Sequence, residues 1–286
     1  MTLILSWNIQ NGKGADAVIS LERIAEVINA MGDPDVICLQ EISRNLQLEE
    51  GGPTPDQIAE ISALFPDYVT IFGDAVEAGR DGAAARWQFG NATLTRLPVL
   101  SVFRHALPQP AEGGIRHMAR QATEVSVATS QGPLRVVNTH LEYHSAKQRL
   151  AQIARLRDLH EEIVSNVHHP PASDVSGPYQ DMARPEDCVL CGDFNMETDF
   201  DEYGAMLAPS AGGADLFHDA WRSAHAGKLH DPTCGIHDHD QWPQGPHCRD
   251  FFFVTGTIRQ SVRDVTVDVK TNASDHQPLM LHLADA

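Results

Sequence analysis

The sequence has few basic residues for its length. Its 286 residues include 21 lysines and arginines against 39 aspartates and glutamates, which gives a formal charge of −18 at pH 7. A surface of that sign repels polyanions over a Debye length of about 8 Å at physiological salt. Because non-specific DNA binding depends on Lys and Arg neutralising phosphates, the composition disfavours a general DNA-binding protein. The composition does not exclude a small basic groove in an otherwise acidic protein.

Cysteine is also scarce, and its five copies are an odd number. Cys38, Cys188 and Cys191 lie in apolar runs typical of strands, where a buried thiol behaves as a small hydrophobic side chain. This pattern favours a reducing compartment over a disulfide scaffold. Cys188 and Cys191 have the spacing of a redox motif, but a position inside a strand lacks the helix N-terminus that stabilises a thiolate. We therefore interpret the pair as core residues.

Long apolar runs and linker-like runs are both missing. No stretch approaches the roughly 20 apolar residues of a membrane span, and the first residues lack the basic segment and apolar run of a signal peptide. No run of Ser, Gly or charged residues is long enough to separate two cores, and 42% hydrophobic residues are enough for one large core. We therefore predict a single cytoplasmic domain over residues 1–286. Its oligomeric state stays open.

Short β-branched runs alternate with a few helical segments. Helical periodicity appears at residues 21–30, 57–64 and 146–165. The predicted strands are residues 3–9, 35–40, 68–72, 92–95, 99–104, 123–129, 134–139, 188–191, 251–254, 262–269 and 278–283. Many strands with few helices between them predict two packed, mainly antiparallel β-sheets flanked by helices, an α/β (α+β) four-layer sandwich.

Several long polar loops interrupt this pattern. They are rich in Gly, Pro, Asp and His, and loops of this length in a compact domain are usually functional or disordered. Several adjoin the motifs below, so we expect them to rim a functional site. They are residues 43–55, 74–89, 109–116, 166–186 and 231–247.

Polar side chains lie at the ends of the apolar strands. Each alone is an ordinary turn residue, but together they assemble carboxylates, carboxamides and histidines where packed sheets display their loops. Hard oxygen ligands suit Mg²⁺ or Mn²⁺, and thiolates are absent from the set. The motifs are Trp7-Asn8, Gln40-Glu41, Asn138-Thr139-His140, Asp193 with Asn195, Asp250 and Ser274-Asp275-His276.

The order and spacing of these motifs resemble the endonuclease/exonuclease/phosphatase superfamily, which includes pancreatic deoxyribonuclease, abasic-site endonucleases, neutral sphingomyelinases and inositol polyphosphate 5-phosphatases. The resemblance spans residues 7 to 278, and Gly192-Asp193-Phe194-Asn195 and Ser274-Asp275-His276 carry it most specifically. It implies a deoxyribonuclease-like fold. It also implies a metal-dependent hydrolase of phosphate esters, a phosphodiesterase or a phosphatase, that acts by direct water attack.

The resemblance further implies a metal site and substrate contacts. Glu41 is expected to ligate a catalytic Mg²⁺, or Mn²⁺, with Asn8 in support. Asp275 is expected to be a second metal-site or outer carboxylate. Arg120 and Asn91 match less specific family positions, and we expect them to contact the substrate.

The catalytic roles implied by the resemblance fall on five residues. Asp193 is expected to position or deprotonate the attacking water, and Asn195 to hold a phosphoryl oxygen. His276 and His140 are expected at the scissile phosphate, where a histidine can supply a proton or a positive charge. Asp250 is expected to accept the second ring N–H of His276, although its strand departs from the family's usual Arg-Ile-Asp opening.

Three alternatives stay open at this point. The acidic charge favours a small or lipid-like phosphoester over long DNA, but a DNA repair-type endonuclease or exonuclease is the competing enzyme. A binding module of the same fold that has lost catalysis is the non-enzymatic alternative, although every expected catalytic position is filled. Finally, a Cys- and His-rich segment at residues 225–248 has ligand types that can bind zinc. Its members are His225, His230, Cys234, His237, His239, His247 and Cys248.

Overall fold

Strands and helices alternate in the computed structural model, which describes residues 1–50, 52–79, 85–210 and 216–284. The strands are β1 (Thr2–Asn8), β2 (Val36–Arg44), β3 (Val69–Ala78), β4 (Trp87–Thr95), β5 (Val99–Ala106), β6 (Gln121–Thr129), β7 (Gly132–His140), β8 (Cys188–Asp193), β9 (His218–Asp219), β10 (Asp250–Val254), β11 (Val262–Val267) and β12 (Leu279–Leu283). The helices are α1 (Leu21–Met31), α2 (Gln57–Leu64), α3 (Ala146–His168), α4 (Asp201–Leu207), α5 (Ala220–Ala224) and α6 (Gly256–Arg259).

The described strands form two six-stranded sheets. The first has the order β11-β12-β1-β2-β4-β3, and the second has the order β5-β6-β7-β8-β10-β9. A parallel pair lies at the centre of each sheet, β1 with β2 and β7 with β8, and the other neighbours are antiparallel. The sheets are therefore mixed and mainly antiparallel, which confirms the predicted fold class.

Alternating side chains bury both faces of each sheet. Ile4 of β1 and Val189 of β8 belong to one core that draws on both sheets. Leu5 packs instead with Ile24 of α1 on the outer face of the first sheet. Leu190 packs with residues of α3 and α4 on the outer face of the second. The layers therefore run helix, sheet, sheet, helix; the single-domain organisation stays a prediction.

The strand register brings the ends of the central strands to one edge. Asn8 at the end of β1 lies opposite Gln40 of β2, and His140 at the end of β7 lies opposite Asp193 at the end of β8. Asp250 opens the antiparallel strand β10 and also pairs with Asp193. Parallel strands end at the same edge of their sheet, so polar residues that are far apart in sequence meet here.

Buried amides join the two sheets behind this edge. Gln40 Nε2 donates to Asn138 Oδ1 at 2.8 Å, and Asn138 Nδ2 donates to the carbonyl oxygens of Leu39 and Ala92 at 3.2 and 3.0 Å. A buried amide without partners is costly, so this network fixes how the sheets sit against each other. Asn138, which the sequence places in a site motif, contacts the opposite sheet.

The predicted helices are present with nearly the expected bounds. The bounds of α2 are as predicted, while α1 and α3 end one and three residues later than predicted, at Met31 and His168. Ser20, Asp56 and Ser145 cap the three N-termini by accepting a bond from the N–H three residues on. In the described part of the chain, no helix is both long and apolar enough to cross a membrane.

Some sequence predictions of local structure are wrong. Residues 74–89 were expected to form a loop, but β3 continues to Ala78 and β4 begins at Trp87, so the two strands form a long hairpin. Residues 80–84 of that segment lie outside the described residues. The short elements α4, α5, α6 and β9 were not predicted, because two to seven residues do not establish a period.

Candidate active site

A cleft of about 490 Å³ opens where the central strands of both sheets end. Seven residues singled out by the sequence line it: Glu41, Arg120, His140, Asp193, Asn195, Asp275 and His276. Asn8 and Asp250 lie behind this lining and bond to it. Asn91 is buried on β4 opposite Gln40 and is not part of the lining.

Glu41 owes its position to a bulge in β2. The register with β4 shifts between Gln40 and Ile42, and Glu41 has a φ of 55°. A left-handed backbone at a non-glycine residue is uncommon and is typical of functional sites. The bulge takes Glu41 out of the pairing with β4, and its side chain lines the cleft.

Asn8 holds two carboxylates together. Its Nδ2 donates to Glu41 Oε1 and to Asp193 Oδ2, both at 3.0 Å. Its Oδ1 accepts from the backbone N–H of Gln10 at 3.1 Å, which fixes the orientation of the amide. The amide nitrogen therefore faces the carboxylates, and Asn8 orients both of them.

His276 lies between two carboxylates. Its Nδ1 is 2.8 Å from Asp250 Oδ2, and its Nε2 is 3.7 Å from Asp193 Oδ2. Thr233 Oγ1 also donates to Asp250 Oδ2, at 2.6 Å. Burial lowers the pKa of His276, but the charges of Asp250, Asp193 and Asp275 outweigh it and raise the pKa well above 6.5. His276 is therefore protonated at neutral pH.

The two aspartates beside His276 differ in their surroundings. Burial raises the pKa of Asp250 to about 6, so that Asp250 is still ionised at pH 7. Burial acts in the same direction on Asp193, but His140, His276 and the amide of Asn8 outweigh it and lower the pKa of Asp193. The cleft thus contains an ionised carboxylate close to a protonated imidazole.

His140 has the opposite charge state from His276. Burial, followed by the charge of Arg120, lowers the pKa of His140 to about 3, so the ring is neutral. Asn195 Nδ2 lies 3.0 Å from His140 Nε2 and also donates to Leu141 O at 3.0 Å, which makes Nε2 the acceptor. The remaining proton then lies on Nδ1, which is buried, has no hydrogen-bond partner and is 4.0 Å from Glu41 Oε1.

Glu41 and Asp275 form an acidic pair in the cleft. Desolvation, followed by the charge of Asp275, raises the pKa of Glu41 to about 7. Burial also raises the pKa of Asp275, whose Oδ2 accepts from Trp242 Nε1 at 3.2 Å. Within the described residues, neither carboxylate has a Lys or Arg ion-pair partner. Two uncompensated carboxylates of this kind can hold a cation.

A second acidic group is bonded differently. Among the described residues, Asp193, Asp250 and His276 form a group whose ligand atoms lie within 4.8 Å of one another. However, His276 Nδ1 is already bonded to Asp250, which favours proton transfer over metal ligation in this group. The Cys and His side chains of residues 225–248 do not form such a group in the described chain. His230 bonds to Asp219 at 2.7 Å, and His247 lies 3.2 Å from Cys234 Sγ.

Two residues of the cleft wall, Glu142 and Trp242, were not predicted as site residues. Glu142 directly follows His140-Leu141 and is almost completely buried, and its carboxylate lies 3.4 Å from Arg120 Nε. Trp242 packs edge-on against His276 at 5.7 Å between ring centroids. The signal available in the sequence for Glu142 was an acidic residue two positions after the histidine of a site motif. Trp242 lies in a loop that was expected to rim the site.

The long loops contribute unequally to the cleft. Residues 109–116 and 231–247 supply part of its lining, as does Phe89 at the end of residues 74–89. Residues 43–55 and 166–186 supply none of the lining among the described residues. Residues 166–186 instead border a separate depression with the end of α3.

Comparisons with known proteins agree with this fold. The model of the Endonuclease/Exonuclease/phosphatase family matches residues 5–276. No curated protein matches the chain. A solved endonuclease/exonuclease/phosphatase from Beutenbergia cavernae is 25% identical with a TM-score of 0.65, and the match covers 100% of this chain and 72% of that one.

Two further solved structures share the fold at lower identity. A truncated TDP2 from Caenorhabditis elegans is 20% identical with a TM-score of 0.64, over 99% of this chain and 97% of that one. A mannosyl-6-phosphatase from Bacteroides thetaiotaomicron is 17% identical with a TM-score of 0.66, over 100% of both chains. With the family match over nearly the whole chain, the protein belongs to the Endonuclease/Exonuclease/phosphatase family of phosphoester hydrolases.

Proposed function

We propose that this enzyme hydrolyses a small phosphoester with Mg²⁺, by direct attack of water on phosphorus. The observation that carries the proposal is Asp193, an ionised carboxylate that lines the cleft, accepts from the Asn8 amide and lies 3.7 Å from the protonated ring of His276. Phosphoester hydrolysis needs a positioned water, charge neutralisation at the phosphoryl oxygens and a proton for the leaving group. Each requirement has a suitable side chain in the cleft.

The acidic pair Glu41 and Asp275 fits a divalent cation. Both are hard oxygen donors, both are desolvated, and neither has a Lys or Arg ion-pair partner in the described chain. Asn8 would keep Glu41 oriented through its amide nitrogen. When bound, Mg²⁺, or Mn²⁺ in its place, would neutralise charge on the phosphoryl oxygens.

Asp193 would position the attacking water and accept its proton. Its Oδ1 accepts from the backbone N–H of Asn195 at 2.9 Å, and its Oδ2 from Asn8 Nδ2, so its orientation is fixed. His140, with its unpartnered Nδ1–H, would donate to a phosphoryl oxygen of the substrate. A neutral donor there adds a hydrogen bond without neutralising Asp193.

His276 would protonate the leaving oxygen. As the water oxygen forms its bond to phosphorus, the bond from phosphorus to the leaving oxygen breaks, and His276 Nε2 supplies the proton. Asp250 would keep His276 charged and hold its ring through Nδ1. Over one turnover Asp193 gains the proton that the water loses, and His276 loses the proton that the leaving oxygen gains. The number of protons is therefore unchanged.

Size and charge favour a small substrate. The cleft of about 490 Å³ is in the range of pockets that enclose small molecules. A formal charge of −18 opposes long polyanions. The mannosyl-6-phosphatase that shares the fold is named for a small sugar phosphate, which supports the same class of substrate here. A DNA repair-type nuclease is the alternative that the substrate screen tests.

The test is a hydrolysis screen with Mg²⁺ and with Mn²⁺, using EDTA and Asp193→Asn as controls. The panel contains p-nitrophenyl phosphate, bis-p-nitrophenyl phosphate, sugar phosphates, glycerophosphodiesters, sphingomyelin, and abasic and plasmid DNA. We expect metal-dependent turnover of a small phosphoester and a loss of about 10³-fold or more in the variant. Preferred cleavage of DNA would overturn the substrate class, and unchanged turnover in Asp193→Asn would overturn the mechanism.

A further inference from the structure

Basic and imidazole side chains line part of the cleft, and they come from other segments of the chain than Glu41 and Asp275 do. This basic wall consists of Arg116, His117, Arg120 and His144. Arg116 Nε donates to His144 Nε2 at 3.2 Å. In the described chain Arg116 has no carboxylate ion-pair partner, whereas many other arginines of this acidic protein do. The mechanism above leaves Arg116, His117 and His144 without a role.

A buried carboxylate organises the basic wall. Glu142 Oε2 accepts from the backbone N–H of Met118 at 3.2 Å and lies 3.4 Å from Arg120 Nε. Its other oxygen accepts from the backbone N–H of His144 at 2.9 Å. One carboxylate thus fixes the end of the loop that carries Arg116, the start of the segment that carries His144, and the Arg120 side chain. The wall is a built surface, not a set of independent surface residues.

The loop that carries Arg116 is also attached to α3. Gln152 Nε2 donates to Pro108 O at 3.2 Å, and Gln148 Nε2 donates to Pro110 O at 3.1 Å. Lys147 Nζ donates to Ala111 O at 2.9 Å. Both glutamine side chains are buried, so these bonds are shielded from competing water. The loop is therefore held over the cleft although it contains no helix or strand.

We propose that the basic wall binds a second oxyanion of the substrate, a carboxylate or a phosphate on the leaving-group side. This inference rests on the proposed function, because it places the scissile phosphate near Asp193 and His276. A guanidinium presents donors that match an oxyanion, and among the described residues Arg116 uses only Nε as a donor. Positive charge at one wall of a strongly acidic molecule would select such a substrate over an uncharged one of equal size.

The experiment compares binding of matched ligands to the Mg²⁺-loaded protein by calorimetry. The ligands are ω-phosphonocarboxylates with two, three and four carbons, and alkylphosphonates of the same lengths that lack the carboxylate. We expect one phosphonocarboxylate to bind about tenfold more tightly than its alkylphosphonate partner, which is the magnitude of a charge-assisted hydrogen bond. Arg116→Gln should bring this ratio close to one. Arg155→Gln, on the exposed face of α3, should leave it unchanged.

Two results would overturn the inference. One is a wild-type protein that binds no phosphonocarboxylate more tightly than its alkyl partner. The other is a preference that persists in Arg116→Gln. Because the readout is binding, a preference that depends on Arg116 supports the basic wall even if the hydrolysis screen finds no turnover, and that screen alone decides the proposed function.

Discussion

Glu41 is the residue at which the acidity of the cleft has its clearest energetic consequence. Because its pKa is raised to about 7 in the folded protein, ionisation of Glu41 opposes folding of the metal-free protein. Stability is therefore lost as pH rises from the ordinary glutamate value through about 7. We predict that Glu41→Gln raises the unfolding free energy of the metal-free protein at pH 8 by about 1–2 kcal/mol, since one pKa unit corresponds to about 1.4 kcal/mol and the side chain is partly exposed.

The same substitution separates metal binding from stability. Mg²⁺ should raise the melting temperature of the wild-type protein but leave that of Glu41→Gln unchanged, which scanning calorimetry with EDTA and with Mg²⁺ measures. Glu26→Gln on the exposed face of α1 is the matched control and should behave as the wild type. An equal Mg²⁺ response in Glu41→Gln would show that the cation binds elsewhere.

Asp250 determines the pH range in which His276 holds its proton. The charge of Asp250 is the largest contribution that raises the pKa of His276, so Asp250→Asn should lower that pKa. The alkaline limb of the profile of kcat/KM against pH should then move to lower pH, and activity at pH 8 should fall by about 100-fold. Thr233→Val keeps the charge of Asp250 but removes the hydroxyl that donates to Asp250 Oδ2 and accepts from the N–H groups of Arg249 and Asp250, so it should move the limb less. An unmoved alkaline limb would exclude His276 as the acid.

The sequence could identify site residues whose environment is local. Asp193 ends an apolar strand and His276 lies three residues before another, so their positions near strand ends are visible in the sequence. Glu142 is different, because its role depends on the loop end at Met118 and on the segment at His144. The pairing of His276 with Asp250 was predicted, and the raised pKa of His276 agrees with it. The neutral state of His140 was not predictable, since it depends on burial and on the nearby charge of Arg120.

At the scale of elements, the contact between sheets depends on the amide network of Asn138. Asn138→Ala removes one partner and leaves Gln40 Nε2 and two carbonyl oxygens without this amide. We predict a loss of about 2–4 kcal/mol in unfolding free energy, measured by urea denaturation. Asn166→Ala, at an exposed position of α3, should change it by less than about 0.5 kcal/mol. Equal effects of the two substitutions would mean that the network adds no stability.

The helices were predictable in proportion to their length. The 23 residues of α3 include six turns of periodic apolar positions, so both its existence and its start at Ala146 were predictable. The two residues of β9 form a strand only because Phe253 and Val254 of β10 pair with them. Strand pairing itself had no signal in the sequence, and the extension of β3 and β4 into a hairpin depends on that pairing.

At the scale of the whole molecule, net charge and local charge differ. The formal charge of −18 describes the surface that a distant ligand meets, and it falls off within a Debye length. Inside the cleft, Arg116 and Arg120 face the same space as Glu41 and Asp275. The composition could therefore predict repulsion of long polyanions, but not the basic wall, which exists only when the loop of Arg116 folds over the cleft.

This difference leads to a prediction about nucleic acids. Duplex DNA would meet the acidic outer surface along most of its length, while the basic wall offers too few cations to release many counterions. We predict no binding of a labelled duplex of about 20 base pairs at about 10 µM protein in 150 mM salt, measured by fluorescence anisotropy. Non-specific DNA-binding proteins bind duplexes at protein concentrations of this order. The control is the same measurement in low salt, where any interaction with a basic groove is strengthened. Binding in low salt that weakens steeply as salt rises would indicate a DNA-binding groove and favour the nuclease alternative. No binding at either salt concentration would support a small phosphoester as the substrate.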